Sequence, residues 1–325
     1  MAIPRVTPRL ATAAVAGLLA LTAAGCAAGP SAANDDGDPR TLRIAHNSNA
    51  AALPVQVAIA EGIFTKHDLK VEFTKVENIG TLPGTLGRSF DVALSVPTTV
   101  IAAAQQGIPV TQVSGATLDV EDNPTGFVIG SKKSGVTDIK QLAGKTLGVL
   151  TETGTTHTAT KAWLRQEGVD PASVDIVQVD GPAQADQLAA GRVDAVETVM
   201  PFATNVLRDK DAVNLGDPYL KLAPELSAIL WIAKQDFAAQ HADVLKDFRA
   251  SLDEAQEFIK GNDPKAREVL KDYTGLPDPA IKAAVLPTYT TEIRPDDLKV
   301  WLQAMKDVDG FKGDVDLDAL VASQN

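Results

Sequence analysis

The residues best suited to chemistry lie in one dense stretch. Residues 150–160 read LTETGTTHTAT, and six of these eleven are threonine. They sit between an apolar run at 146–150 and a helix-like run at 161–167. Four roles suit hydroxyls there: a phosphate cradle, a catalytic loop, a grip on a ligand, or a capped helix start. A phosphate cradle of the usual kind ends in Gly-Lys-Ser/Thr, and GTTHTAT does not. The chain has no G-x-S-x-G turn for a nucleophilic serine and no His-Glu-x-x-His pair. Its four histidines, His46, His67, His157 and His241, are too far apart for metal-ligand spacing. The one cysteine, Cys26, excludes an internal disulfide. No catalytic residue, metal or cofactor is expected, which leaves the grip and the cap.

The elements that carry this stretch recur. Strand-like runs alternate with helix-like ones from residue 41, which argues an α/β fold with mainly parallel sheets. Strands are expected at 41–45, 69–76, 90–95 and 108–117, and helices at 53–61 and 98–106. The pattern then restarts. KTLGVL at 145–150 stands where RTLRIA stands at 40–45, and GRVDAVETVMP at 191–201 parallels GRSFDVALSVP at 87–97. Leu42 lies 49 positions before Asp91, and Leu147 lies 47 before Asp194. Two similar lobes in tandem are therefore expected. The tail turns helical, at 242–260, 264–273 and 295–308, with Pro264 and Pro295 in first turns. A tail packing on lobe one needs two crossings between lobes. The proline-bearing stretches 117–128 and 215–228 supply them, and two crossings make a hinge. The resulting division is lobe one at 41–117 plus 227–325, and lobe two at 118–226. Trp163, Trp231 and Trp301 lie in regular elements and are expected to pack inside.

The N-terminus is a targeting segment. Arg5 and Arg9 precede an apolar, alanine-rich run at 10–25, too short for a confident membrane span. Residues 1–25 read as a signal peptide for general export. LTAAGC resembles a bacterial lipobox, with Cys26 as the lipidated first residue of the exported chain and Ala23 in place of the commoner leucine. Residues 26–40 are small and polar, a flexible tether. Without Arg5 and Arg9 the chain keeps 28 basic and 42 acidic residues, a formal charge of −14. So acidic a body offers nothing to nucleic acid.

The order of these pieces resembles a known family. AAALPVQVAIAEGIFTKHDLKVEF, FDVALSVPTTVIAAAQQGIPV, LAGKTLGV and QLAAGRVDAVETVMPFA run along residues 41–308 as they do in substrate-binding proteins of nitrate/sulfonate/taurine-type ABC transporters. That group includes binders of thiamine's pyrimidine precursors. The resemblance implies a periplasmic-binding-protein type II fold, an interlobe cleft holding a small polar solute, and delivery to an ABC permease, by a monomer anchored through lipid on the outer face of the cell membrane. An exported sensor is the alternative, with an enzyme on the same fold behind it. The chain departs from the family at Val199-Met200, where many members have Trp-Glu.

Ligands in such sheets sit beyond the carboxyl ends of the strands. Four loops qualify, and none holds Lys or Arg. The first supplies Asn47, Ser48 and Asn49. The second supplies Ser95, Thr98 and Thr99. The threonine stretch supplies Thr151, Glu152, Thr153, Gly154, Thr155 and Thr156. The last supplies Glu197 and Met200. Helix N-termini there suit an anion such as sulfonate or nitrate. Glu152 and Glu197 favour a cationic or hydrogen-bond-donating ligand such as an aminopyrimidine. The residues alone leave both open. Each also has a plainer role: Ser95, Thr98, Thr99, Thr155 and Thr156 as caps, Asn47 and Asn49 as turn residues with positive φ, Glu197 solvated at a strand end, and Met200 in the core. His157 reads as a partly exposed residue of a first helical turn.

Overall fold

The computed structural model describes residues 38–76 and 78–322. The signal peptide, Cys26 and the tether up to residue 37 lie outside the described residues. β1 (Thr41–His46) leads into α1 (Leu53–Ala60), α2 (Ile63–Lys66) and β2 (Lys70–Lys75). β3 (Val92–Ser95), α3 (Pro97–Gln105) and β4 (Val110–Val120) complete the first pass. The second runs through β5 (Gly126–Ser131), β6 (Thr146–Val149), α4 (Thr155–Gln166), β7 (Asp175–Gln178), α5 (Gln184–Ala189), β8 (Ala195–Val199), α6 (Phe202–Val206) and β9 (Ala212–Gly216). β10 (Glu225–Lys234) returns to the first sheet, followed by α7 (Gln235–Gln240), α8 (Ala242–Gly261), α9 (Asp263–Thr274), α10 (Asp278–Ala283), β11 (Thr288–Tyr289) and α11 (Pro295–Val308).

The strands form two sheets, ordered β11-β4-β10-β3-β1-β2 and β7-β6-β8-β5-β9. β1 pairs in parallel with β2 and β3, and β6 with β7 and β8. β10 runs antiparallel to β3 and β4, and β5 to β8 and β9, so the sheets are mixed. The reason is connectivity. A parallel neighbour needs a crossover element, whereas β5 and β10 arrive through the crossings between lobes and are free to reverse.

The internal echo holds at the level of atoms. Asp91 accepts from the N–H of Arg43 at 2.9 Å, and Asp194 accepts from the N–H of Thr146 at 2.9 Å. In each lobe one carboxylate holds the strand that lies between two parallel neighbours. Gly62 and Gly168, which follow the matching helices, have φ of 66° and 79°, a left-handed turn that side-chain-bearing residues resist.

The helical tail packs on lobe one. α8 buries Val244, Leu245, Phe248, Leu252, Ala255 and Ile259, one stripe at helical spacing, against the core that holds α1 and Trp231. α11 buries Trp301, whose indole N–H donates to the Ser227 carbonyl at 2.8 Å. The three tryptophans are buried, as expected. α11 also reaches lobe two. Asp309, just past its end, accepts from Thr158 Oγ1 of α4 at 2.7 Å and pairs with Lys161, and Arg165 donates to the Asp307 carbonyl.

Candidate functional site

The carboxyl ends of β1, β3 and β4 lie along one edge of the first sheet. Four buried polar atoms gather there with no protein hydrogen-bond partner: Asn47 Oδ1, Ser48 Oγ, Ser95 Oγ and Thr117 Oγ1. Ser95 and Thr117 are 0% and 1% exposed, on the two strands, β3 and β4, that flank β10. A buried hydroxyl without a partner costs about 1–3 kcal/mol. Their clustering at one edge makes it the candidate site.

The loop after β1 is held from the tail. Tyr273 donates its hydroxyl to the Asn49 carbonyl at 2.9 Å, and Tyr289 to the Ala50 carbonyl at 3.2 Å. His46 stacks on Phe73 with ring centroids 3.8 Å apart, and burial holds its imidazole below the usual range. Asn49 caps the following turn, its Oδ1 accepting from the N–H of Ala51 at 2.8 Å. Its φ is −96°, and among the described residues Asp68 is the one non-glycine with positive φ. The positive-φ reading of Asn47 and Asn49 is therefore corrected: the loop turns by capping.

Two further expectations change. α3 starts after Val96 and α4 after Gly154, both without a side-chain cap. Ser95, Thr98, Thr99, Thr155 and Thr156 are not caps, and the first N–H groups of both helices are left to other partners. Thr98 Oγ1 reaches the Thr153 carbonyl at 3.5 Å, which brings the second loop of lobe one to the threonine loop of lobe two. Thr99 is half-buried.

The threonines divide. Thr151, Glu152 and Thr153 are exposed, whereas Thr155 and Thr156 are buried. Thr156 Oγ1 meets the Tyr219 hydroxyl at 2.7 Å, and Thr160 donates to the Thr156 carbonyl at 2.9 Å. Gly154 has φ of −87°, so handedness does not demand glycine; a Cβ there would stand 2.7 Å from Thr151 Cγ2. Glu197 is not solvated but wholly buried. Its Oε2 lies 3.1 Å from His157 Nδ1, and its Oε1 has no protein partner. His157 is itself buried at 5% exposure, contrary to the partly exposed expectation.

Between the lobes lies a narrow cavity of about 10 Å³, room for roughly one water. Asn49, Thr117, Ala228, Ile229 and Pro287 line it from one side, and Thr125, Val199, Met200 and Tyr219 from the other. Met200 thus belongs to the cavity wall. Thr117, Thr125 and Tyr219 escaped sequence reasoning. They stand in the two stretches read as crossings, and the local signal was a proline directly before Thr125 and Tyr219. A larger surface depression of about 530 Å³ lies at the opposite, amino edge of the sheet, lined by Arg40, Phe64 and Lys70 among others. Arg40 is tied there to Asp68, Asp243 and Asp247, and no unpartnered buried side-chain atom lines it.

Solved structures share this fold. The periplasmic aliphatic sulphonate binding protein SsuA from Escherichia coli superposes with a TM-score of 0.73 at 16% identity, over 89% of this chain and 94% of that one. The alkanesulfonate-binding protein SsuA from Xanthomonas axonopodis pv. citri, bound to MOPS, gives 0.72 at 14% identity, over 88% and 99%. In sequence, the taurine-binding periplasmic protein of Escherichia coli (strain K12) is 28% identical over 242 residues, 70% of this chain and 72% of that protein. The model of the family described as NMT1/THI5 like matches residues 49–266. The match spans well over half the chain, which therefore belongs to the NMT1/THI5-like family.

Proposed function

We propose that the protein is an extracytoplasmic receptor that captures a small organic oxyanion of the sulfonate class between its lobes and delivers it to an ABC importer. One observation carries the ligand class. Unpartnered buried donors of lobe one, at Ser48, Ser95 and Thr117, share the interlobe region with two helix N-termini that have no side-chain cap. Such termini take up an oxyanion through backbone N–H groups and need no basic side chain. The two carboxylates that argued for a cationic ligand stand apart from the cavity wall. Glu152 is exposed, and Glu197 is buried against His157. Once the lobes part, the apolar part of the wall, Val199, Met200, Ala228, Ile229 and Pro287, offers the organic body of such a ligand a surface that bare nitrate would not use.

In this reading lobe one is 41–117 with 227–325, lobe two is 118–226, and ligand-driven closure about the crossings presents the docking surface to the permease. Lipid on Cys26 would anchor a monomeric receptor by the tether. Binding needs no chemical step, so no catalytic residue is assigned. The direct test is a thermal-shift screen of the purified protein with ethanesulfonate, taurine, nitrate and an aminopyrimidine. At a hundred times its dissociation constant a true ligand stabilises the protein by about 2.7 kcal/mol. Titration calorimetry of Ser95→Ala and Thr155→Ala follows. The reading fails if only the aminopyrimidine stabilises, or if both variants bind a sulfonate with unchanged affinity.

A further inference from the structure

Each crossing between the lobes carries a buried aspartate, and the two work on the same piece of backbone. Asp119, 0% exposed, stands near the end of β4 before the first crossing. Its Oδ1 accepts from the N–H of Thr125 at 2.8 Å and from Thr125 Oγ1 at 2.6 Å, on the far side of that crossing. Asp217, 7% exposed, opens the second crossing. Its Oδ1 accepts from the N–H of Tyr219 at 2.7 Å, and its Oδ2 from the N–H of Gly126 at 3.2 Å. Asp217 therefore ties the second crossing to the first.

Asp119 Oδ2 is buried with no donor facing it. Two ionised carboxylates offer acceptors alone; a proton on one turns it into a donor for the other. Two neighbouring buried carboxylates resist double ionisation. Burial, then the charge of Asp217, pushes the Asp119 carboxyl up to about 8. Burial pushes Asp217 up to about 6, against the N–H groups of Tyr219 and Gly126. The surrounding elements add few charges. The buried Tyr219 phenol faces the pair, its ionisation pushed up by burial. Leu226 of β10 lies opposite Asp119, and Thr288 of β11 lies opposite its neighbour Leu118. Glu225 of β10 and Asp297 of α11 are both paired with Arg294.

We propose that Asp119 and Asp217 form a hinge switch, in which an acid and a carboxylate sharing one proton hold the two crossings together, and loss of that proton to solvent unties them. The direction follows from burial. Two ionised groups gain most from water, and water reaches them when the crossings separate. Deprotonation therefore favours the open arrangement, and a receptor near pH 6 stays closed more readily than one near pH 9. Only the link to ligand release rests on the receptor reading above; the switch itself is measurable without ligand.

The experiment is pH titration of the ligand-free protein from pH 4 to 9, read two ways. Carbon-13 NMR of the aspartate carboxyls should show two coupled groups still titrating above pH 6 in the wild type, and Asp217 alone, titrating lower, in Asp119→Asn. Small-angle scattering should show a radius of gyration that rises between pH 6 and 9 in the wild type and stays at its acid value in Asp119→Asn, whose amide supplies the missing hydrogen. Asp217→Asn serves as the mirror variant should the first fail to fold. If all aspartates of the wild type finish titrating below pH 5, or if wild type and folded variant expand alike, the switch does not exist. Failure to bind ethanesulfonate would overturn the ligand class and leave this result standing.

Discussion

Thr117→Val should make the protein more stable and a poorer receptor, and the opposite signs are what make it informative. The Thr117 side chain is 1% exposed, its Oγ1 has no protein partner, and it lines the interlobe cavity. Valine keeps the branched shape and rotamer preference of threonine and removes the hydroxyl. Relief of an unpartnered buried hydroxyl is worth about 1–3 kcal/mol. In large domains each kcal/mol moves the melting temperature by about 2–4 °C. The ligand loses one hydrogen bond to a charged group, about 1.5–3 kcal/mol, or roughly a 10- to 150-fold rise in Kd. Scanning calorimetry without ligand and titration calorimetry with ethanesulfonate measure the two. Thr160→Val is the control. Its hydroxyl is satisfied by the Thr156 carbonyl at 2.9 Å, so that variant should gain no stability and keep its affinity. A lower melting temperature for Thr117→Val, or a higher one with unchanged Kd, would refute the argument that the unpartnered hydroxyls are held for a ligand.

Three further outcomes are expected. The folded-state carboxyl of Asp119, raised to about 8, sits above its unfolded value of about 3.9. The stability it contributes is full below about pH 4 and is lost as pH rises through about 8, so the melting temperature should fall across that window and flatten in Asp119→Asn. Gly126→Ala puts a Cβ 2.6 Å from the Tyr219 ring at the crossings; overpacking of about 1–3 kcal/mol should appear in chemical denaturation, and a loss under 0.5 kcal/mol would show that the crossings yield easily. A chain with a formal charge of −12 repels an anion at long range. The association rate of ethanesulfonate in stopped flow should therefore rise with salt up to about 0.15 M, where the Debye length is about 8 Å; a rate that falls with salt would mean that a local positive field dominates.

Much of the fold was legible because its signals are local. β1, β3, β6 and β8 are short apolar runs bounded by turn residues, and Gly62 and Gly168 stand where left-handed backbone closes matching helices. The Asp91 and Asp194 echo was legible for the same reason, one carboxylate serving one strand start in each lobe. What was missed depends on distant partners. β11 is two residues long and exists through its pairing with β4. The reversed direction of β5 and β10 is a property of the crossings, and no pattern within either strand encodes it. α4 begins at Thr155 itself, a residue expected to cap the helix rather than to open it. Threonine is a poor helix former, and what holds this turn is Tyr219 and Asp309, 63 and 151 positions along the chain from the threonines they meet.

The candidate site was half legible, and the division between halves is physical. Sequence position tells which loops end at the carboxyl edge of a sheet, so Ser95 and Asn47 could be named. It does not tell whether a hydroxyl finds a partner, because partners come from other elements. Of the threonines at 155–160, Thr156, Thr158 and Thr160 each have a hydroxyl committed within the protein, to Tyr219, Asp309 and the Thr156 carbonyl. Thr117, read only as the edge of a connector, keeps its hydroxyl unpaired in the cavity wall. The dense cluster thus mainly builds and fastens the helix whose N-terminus faces the other lobe, and the isolated residue keeps the freer hydroxyl. Glu197 shows the same limit for charge. Its type argued for a cationic ligand, but its burial against His157 removes it from the cavity wall. On the receptor reading, the sign of the ligand follows from uncapped helix starts, which only the folded chain displays, rather than from the acidic residues of nearby loops.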